Sequence, residues 1–439
     1  MWHLSGTRER FDVAVIGGGC AGIAAALAAA GCGAHTLLLE RSDALGGNVS
    51  QALVHTLCGL YLAAEAGDAI PANPGFPQRF ADALRSAGAA GDPERAGRVW
   101  VLPTDPPRVA ATARRLCEET PGLDLRLAHE LVGAELATCG AAPQRLRVRG
   151  ARTGEHELAA SVVVDASGDA TAAFLGGAAT EMAGSEELQL PSYIFRVAGV
   201  DTAALEELQG FARLRVTSAV AGAVRSGALP AGCEALLVRS SLEAGRIYMT
   251  LNLPRPQGYA PLRPECIEAL GARARASAEQ VVAFLRASRP AFEKCGVDLW
   301  PARVGVRETR RVVARDPVRA EDVRGGRRRE DEVALSTWPI ELWQDNRRAR
   351  FEYPAGPCSL PLGALVSRTH PRLAVAGRCL GADREAQGAL RVLGAALASG
   401  EAAGVAAALA ADAGAPLAEV APEQVRDDIL RRAAPADAG

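Results

Sequence analysis

Regular structure in this chain begins with a short apolar run, DVAVIG at 12–17, that ends in consecutive glycines. Such a run predicts a buried strand. CAGIAAALAAA at 20–30 follows with strong helix propensity until Gly31 and Gly33 punctuate it, and HTLLLE at 35–40 predicts a second buried strand. Together they form one βαβ unit. From about 125 to 164, three strand-like runs, LRLAHELVGAELA, RLRVR and HELAASVVVDA, are separated by the turn-rich GAAPQ and GARTG, which predicts a β-meander. The middle, 181–354, mixes strands such as Tyr193 to Val200 and Ile247 to Leu253 with a helix over Pro264 to Leu285. It predicts a separate α+β layer. LAVAG at 373–377 is again a short buried strand, followed by a Gly- and Ala-rich helix from about Ala389 to Asp412, and the tail beyond Ala413 carries one short helix near Glu423 to Arg432. The chain shows no internal repeat.

At 439 residues the chain exceeds what one hydrophobic core usually supports, so two domains are expected. A net charge of -2 gives no electrostatic case for nucleic acid or an anionic membrane. Lys294 is the only lysine, which argues against Schiff-base chemistry, while the many arginines offer bidentate contacts to carboxylates and phosphates. The first eleven residues hold charges and no apolar run, so they do not read as a secretory signal, and a cytoplasmic location is expected. Ten cysteines lack any CxxC pair or zinc-like spacing, which speaks against a disulfide scaffold, an iron–sulfur cluster or a metal site.

The strongest chemical signal is GGGCAG, where Gly17, Gly19 and Gly22 take the GxGxxG positions between a strand and a helix. Gly17 permits the tight turn, Gly19 lets the backbone approach a pyrophosphate, and Gly22 allows close helix-to-strand packing. The helix N-terminus offers free N–H groups to the anion. Glu40 ends the second strand about where an acid is needed to bind ribose hydroxyls.

RSDALGGN, Arg41 to Asn48, follows that acid, and here the sequence resembles FAD-dependent oxidoreductases of the glutathione-reductase-like class. The resemblance implies that Gly46, Gly47 and Asn48 pass the cofactor pyrophosphate and lead toward the flavin. SVVVDASGDAT at 161–171 resembles the ATG segment of that class, with Ser167 in place of threonine and Ala166, Gly168 and Asp169 matching. Val132 looks like the position whose backbone meets the adenine. VRETRRV, 306–312, and AGRCLGADREAQGALRV, 376–392, are similar to signature segments of a bacterial branch called FAD-dependent oxidoreductase. That likeness implies Gly377 and Arg378 beside the ribityl chain and phosphates, Gly388 and Leu390 near the flavin ring, and the next helix aimed at the ring. The expected fold is therefore α/β: a Rossmann-like FAD-binding domain with a β-meander, formed by 11–180 and 355–412, an inserted α+β substrate domain over 181–354, and a C-terminal tail, 413–439. In the related succinate dehydrogenase group a histidine near Asn48 carries the flavin covalently; here the nearest is His55, several residues late, so FAD is expected to be dissociable.

For catalysis the resemblance implies that VHTLCGLY, with His55, Cys58 and Tyr61, runs beside the isoalloxazine, where a neutral histidine or a thiol takes a proton while the flavin takes a hydride. The alternative is that both side chains simply pack. Arg391 resembles the arginine that anchors a substrate carboxylate in the fumarate reductase group, or else it holds the flavin's own oxygens. Arg307, Glu308 and Arg310 form either a polar cluster beside the substrate or a structural ion-pair set.

These features favour a dehydrogenase or oxidase that moves a hydride from a small organic substrate to FAD. No second GxGxxG follows a strand, so reoxidation falls to oxygen, a quinone, a carrier or transient nicotinamide. A flavin monooxygenase or halogenase is the alternative, although the GD-plus-histidine block of aromatic hydroxylases is missing and TWPIEL at 337–342 only faintly matches a halogenase motif. A partner-dependent RNA-modifying flavoprotein needs a long C-terminal helical region and a basic face that this chain lacks. A flavin-binding subunit without turnover of its own is the remaining reading.

Overall fold

The structure is a computed structural model that describes residues 9–433 apart from 64–66, 141, 207–210 and 346–347. Most of the N-terminal stretch read above, and the last six residues of the tail, lie outside the described residues.

The principal sheet is parallel through Leu123–Arg126, Thr36–Leu39, Glu9–Ile16 and Gly154–Asp165, with Leu373–Val375 added beside the last. One row across it reads Leu125, Leu38, Val15, Val164, Ala374. All but Leu125 in that row are essentially inaccessible, as expected of parallel strands covered on both faces. Gly154–Asp165 is long enough to serve twice: its first half pairs antiparallel with Gln144–Gly150 in the meander, and its second half joins the parallel sheet. The expected single strand LRLAHELVGAELA is in fact two. Ala128, at φ 54°, turns the chain, so Leu123–Arg126 stays in the parallel sheet while His129–Glu135 begins the meander.

The alanine-rich helix Cys20–Gly31 covers one face of this sheet and packs on Leu393–Asp412. A Cβ on Gly400 would lie 2.1 Å from the Ala21 carbonyl oxygen, and one on Gly404 would lie 2.2 Å from that of Ala25. The two backbones therefore touch, which explains why both helices are built from alanine and glycine. Leu393–Asp412 is long and apolar enough to cross a membrane, yet 89% of its most apolar window is buried inside the protein. It is a core helix here.

Two main hydrophobic clusters form. The first gathers residues from Phe11 to Ala178 and from Val312 to Ile429, and the second gathers Leu188 to Val304. The second is a four-stranded antiparallel sheet, Leu237–Ser240, Arg246–Asn252, Ser192–Ala198 and Gly296–Leu299, backed by the helix Pro264–Ser288. The strand Ile340–Leu342 lies with the first cluster.

The Gly/Ala-rich helix expected from Ala389 is also two. Arg384–Leu390 ends at Arg391, and a new helix starts at Leu393 after an extended Val392, φ -71° and ψ 158°. The new axis is held by Gly394, whose Cβ would lie 2.2 Å from the Gly59 carbonyl oxygen. The break leaves the first N–H groups of the long helix unpaired within it and presents Arg391 beside them.

Candidate active site

Gly17, Gly19, Glu40, Arg41, Gly46, Gly47, Asn48, Ala166, Gly168, Gly377, Arg378 and Arg391 all line one cleft. Twelve of the expected site residues are thus brought to one cavity from six separate stretches of chain. Gly17 adopts φ +102°, and a Cβ there would lie 2.7 Å from the Ala166 carbonyl oxygen. Gly22 faces away from the cleft, its missing Cβ 1.7 Å from the Gly17 oxygen. Around Gly19 the space is open: the only atom near its missing Cβ is the Gly47 Cα at 3.9 Å. Gly46 donates its N–H to the Gly18 carbonyl at 2.8 Å, so the GG pair docks directly on the glycine-rich turn.

Glu40 accepts from the Gly18 N–H at 2.6 Å and from the Ser42 N–H and hydroxyl at 2.8 Å each. These bonds hold its carboxylate at the mouth of the first turn. In the meander, Leu131 borders the cleft and Val132 is the bulged residue, since the ladder shifts register between Leu131 and Gly133. A bulge releases the backbone of one residue from pairing. Asp165, which the motif reading passed over, is wholly buried and accepts from the Ser167 N–H and hydroxyl and the Ala173 N–H, pinning the turn that carries Ala166 and Gly168. Burial pushes its carboxyl up, against those donors.

Asp169 faces two cations, Arg378 at 2.7 Å and Arg41 at 3.6 Å. Asn48 and Arg378 both donate to the Val306 carbonyl. Arg303, absent from the motif reading, completes a cationic wall: burial, then Arg41 and Arg378, push its guanidinium down to about 10, and its buried Nε has no hydrogen-bond partner. Three guanidiniums thus face two carboxylates, Asp169 and Glu40, and the wall keeps a net positive charge. A dinucleotide pyrophosphate balances that charge, and the open cradle at Gly19 admits it, so the residues present fit FAD.

At the other wall, Arg391 is 12% exposed and sits 3.5 Å from the Glu341 carboxylate, with its Nε unpartnered. Glu341 also accepts from the indole N–H of Trp338 at 2.8 Å and of Trp343 at 2.6 Å. Burial alone would raise this carboxyl, but Arg391, the two indoles and Arg307 outweigh it, and it stays below the usual carboxylate range. Arg307 lies over the Trp343 ring at 4.7 Å and donates to Asn252 at 2.8 Å; burial, then Arg391, push it down to about 9. Cys58 shares this region: burial and then Glu341 push its thiol up to about 12, so it is protonated at neutral pH.

The remaining candidates lie elsewhere. His55 is buried and stacked on Tyr248 at 4.3 Å, in a small cluster with Leu53 and Ile194. Burial pushes it down to about 4. Glu308 is fully buried and paired with Arg311 and Arg384, while Arg310 lies over Phe174 at 3.9 Å. Arg307, Glu308 and Arg310 therefore diverge. Gly388 and Leu390 are buried outside the cleft; the missing Cβ of Gly388 would lie 3.0 Å from the Glu341 carbonyl oxygen, which seats that strand flush on the helix.

A parallel sheet with a glycine-rich turn at the mouth of a cation-walled cleft defines a dinucleotide-binding protein of the Rossmann-like type. The FAD dependent oxidoreductase family model matches residues 12–429, and the chain belongs to that family. FAD is its cofactor and its chemistry is oxidation and reduction. No curated protein matches the chain. Among solved structures, a geranylgeranyl bacteriochlorophyll reductase-like protein from Thermoplasma acidophilum is 14% identical, with a TM-score of 0.46 over 96% of this chain and 82% of that one. A p-nitrophenol 4-monooxygenase from Pseudomonas putida is 13% identical, TM-score 0.44, over 98% and 91%. An anhydrotetracycline hydroxylase from Streptomyces rimosus is 14% identical, TM-score 0.43, over 96% and 66%.

Proposed function

We propose that the protein is an FAD-dependent dehydrogenase or oxidase that removes a hydride from a small organic substrate held at the Arg391 end of the cleft. The observation that carries this reading is the continuity of the cleft, which joins the phosphate cradle at Gly17 and Gly19 to Arg391 in a single cavity. Dissociable FAD, when bound, supplies the two-electron chemistry. Gly17, Gly19, Gly46 and Gly47 present bare backbone to its pyrophosphate, with Arg41, Arg303 and Arg378 as the opposing charge. Glu40 receives the ribose hydroxyls. Val132, released from its ladder by the bulge, and Leu131 offer backbone to the adenine. Ala166, Gly168 and Asp169 with Gly377 form the floor, and the unpaired N–H groups at the start of Leu393–Asp412 face the ring.

Arg391 orients the substrate from the cleft wall. Trp338, Val392 and Val101 pack around Cys58, whose protonated thiol serves packing and is not a base. The inserted unit, which we bound by the second cluster at about 188–304, supplies Asn252 and faces the substrate. Ten free thiols suit a reducing cytoplasm.

Anaerobic mixing of the yellow protein with amines, hydroxy acids and alkenes tests the reaction. Bleaching by one of these alone is the expected result. Bleaching only by NADPH would move the assignment to a monooxygenase, and a colourless chain that takes up no flavin would end the flavoenzyme reading of this cleft.

A further inference from the structure

Outside the phosphate cradle, the most unusual group in the molecule is Glu341. Its carboxylate is only 15% exposed, yet it is surrounded by donors from three directions: Trp338, three residues earlier, Trp343, two residues later, and Arg391, fifty residues on. The two indoles make the short bonds, 2.8 and 2.6 Å, while the arginine stands off at 3.5 Å and adds a 3.3 Å bond to the Glu341 carbonyl oxygen. The carboxylate is thus fixed by neutral donors, so its charge survives to act on Arg391. Arg391 in turn is tethered through one end, lines the cleft, and has a buried Nε without a hydrogen-bond partner. Gly388 permits this by letting the helix Arg384–Leu390 lie against the Glu341 backbone without a side chain between them.

We infer that Glu341 is a positioning residue: clamped between the Trp338 and Trp343 indoles, it fixes Arg391 at the cleft wall, offsets that cation, and so lowers the reduction potential of the bound flavin. The inference rests on the reading that FAD lies in this cleft with its ring at the Arg391 end. The sign follows from charge. Reduction adds electron density to the ring, which Arg391 favours and Glu341 opposes. Removing the carboxylate leaves Arg391 unbalanced in a site that water hardly reaches, and the reduced cofactor gains stability. Removing the arginine does the reverse.

The test is the flavin midpoint potential, measured on purified holoenzyme by spectroelectrochemistry. Glu341→Gln keeps an acceptor for an indole and removes the charge. It should retain FAD and shift the potential upward by at least tenfold in the reduction equilibrium, about 30 mV for a two-electron couple. Arg391→Gln should shift it downward by a similar factor, and the double variant should return toward wild type, because the two opposite effects on the ring cancel. A Glu341→Gln holoenzyme with the wild-type potential overturns the inference, and the flavoenzyme reading survives. Wild-type protein that binds no FAD removes that reading itself, a separate outcome. If Glu341→Gln does not fold, the double variant compared with Arg391→Gln decides: a higher potential in the double variant supports the action of Glu341 on the ring and equal potentials overturn it. A residue that only braces the fold would leave the potential where it is.

Discussion

The Cβ that Gly22 lacks would lie 1.7 Å from the carbonyl oxygen of Gly17, whereas the Cβ that Gly19 lacks would meet nothing nearer than the Gly47 Cα at 3.9 Å. Two glycines of one motif therefore do different work. Gly22 is required by the folded chain itself, and Gly19 is required by what the chain binds. Gly19→Val should fold with a thermal stability close to wild type and yet purify colourless, because its side chain projects into the space of the pyrophosphate. Gly22→Ala should lose stability by well over the ~1–3 kcal/mol typical of an overpacked core, since backbone must move. Absorbance at purification and a melting curve separate them. A yellow Gly19→Val protein would show that the diphosphate does not cross this turn.

His55 is not among the residues that line the cleft. It follows the GG segment closely, but its ring stacks on Tyr248, its Nδ1 contacts the Leu53 carbonyl at 3.2 Å, and it is neutral down to about pH 4. His55→Phe should therefore leave turnover within roughly fivefold of wild type, a barrier change near ~1 kcal/mol, and leave the pH profile between 5 and 8 unaltered. Loss of a general base would cost on the order of 10²–10⁴ in rate. A fall of that size on steady-state assay would return His55 to the catalytic machinery.

The parallel strands, the first helix and the cradle glycines were legible because each carries a local signal: an apolar run, an alanine series, or a glycine at a turn with positive φ. The strands expected over 193–200 and 247–253 are found as Ser192–Ala198 and Arg246–Asn252, with ends offset by one or two residues. What stayed hidden depends on non-local assembly. Ala128 takes φ 54° without being glycine, so nothing in LRLAHELVGAELA marks the turn. The restart of the closing helix at Leu393 is dictated by Gly59, more than three hundred residues away in sequence. Arg303 and Glu341 acquire their roles only when the chain brings Arg41, Arg378 and Arg391 beside them, and no spacing rule joins such distant positions. The stretch 337–342 carries Glu341 and one of its indole donors, Trp338, while the other donor, Trp343, lies one residue beyond it.

Arg391 yields a sharper kinetic expectation than the other arginines. Arg391 lines the cleft and its buried Nε has no hydrogen-bond partner, while Arg307 spends its donors on the Leu190 carbonyl and Asn252. Arg391→Ala should keep FAD, since the phosphate wall is untouched, and should lower kcat/KM on the order of 10²-fold or more, the usual scale for losing one preorganised donor in a dry site. Arg303→Ala should do the opposite, weakening FAD retention at every step of dialysis. Flavin occupancy and substrate kinetics, measured on both, distinguish the two ends of the cleft; equal losses of flavin would mean that Arg391 serves the cofactor alone.

Stability should carry a pH signature that comes from neither end of the cleft. Glu401 lies within the long helix Leu393–Asp412, its side chain 3% exposed, accepting from the Phe76 N–H at 2.7 Å with Arg79 at 3.4 Å. Burial raises its carboxyl from 4.5 to about 7, against the pull of Phe76 and Arg79. Below pH 4.5 folded and unfolded chains both hold the proton; between 4.5 and 7 the unfolded chain releases it first, so this group makes stability fall as pH rises through that window, and above 7 the penalty is constant. At 1.36 kcal/mol per pH unit the penalty at pH 8 is on the order of 3 kcal/mol. Glu401→Gln keeps an oxygen for the Phe76 N–H and cannot ionise. It should melt higher than wild type at pH 8 and nearly together with it at pH 4.5. Denaturation followed at both values checks this, and an equal gap at the two would mean that Glu401 is already ionised inside the fold at low pH.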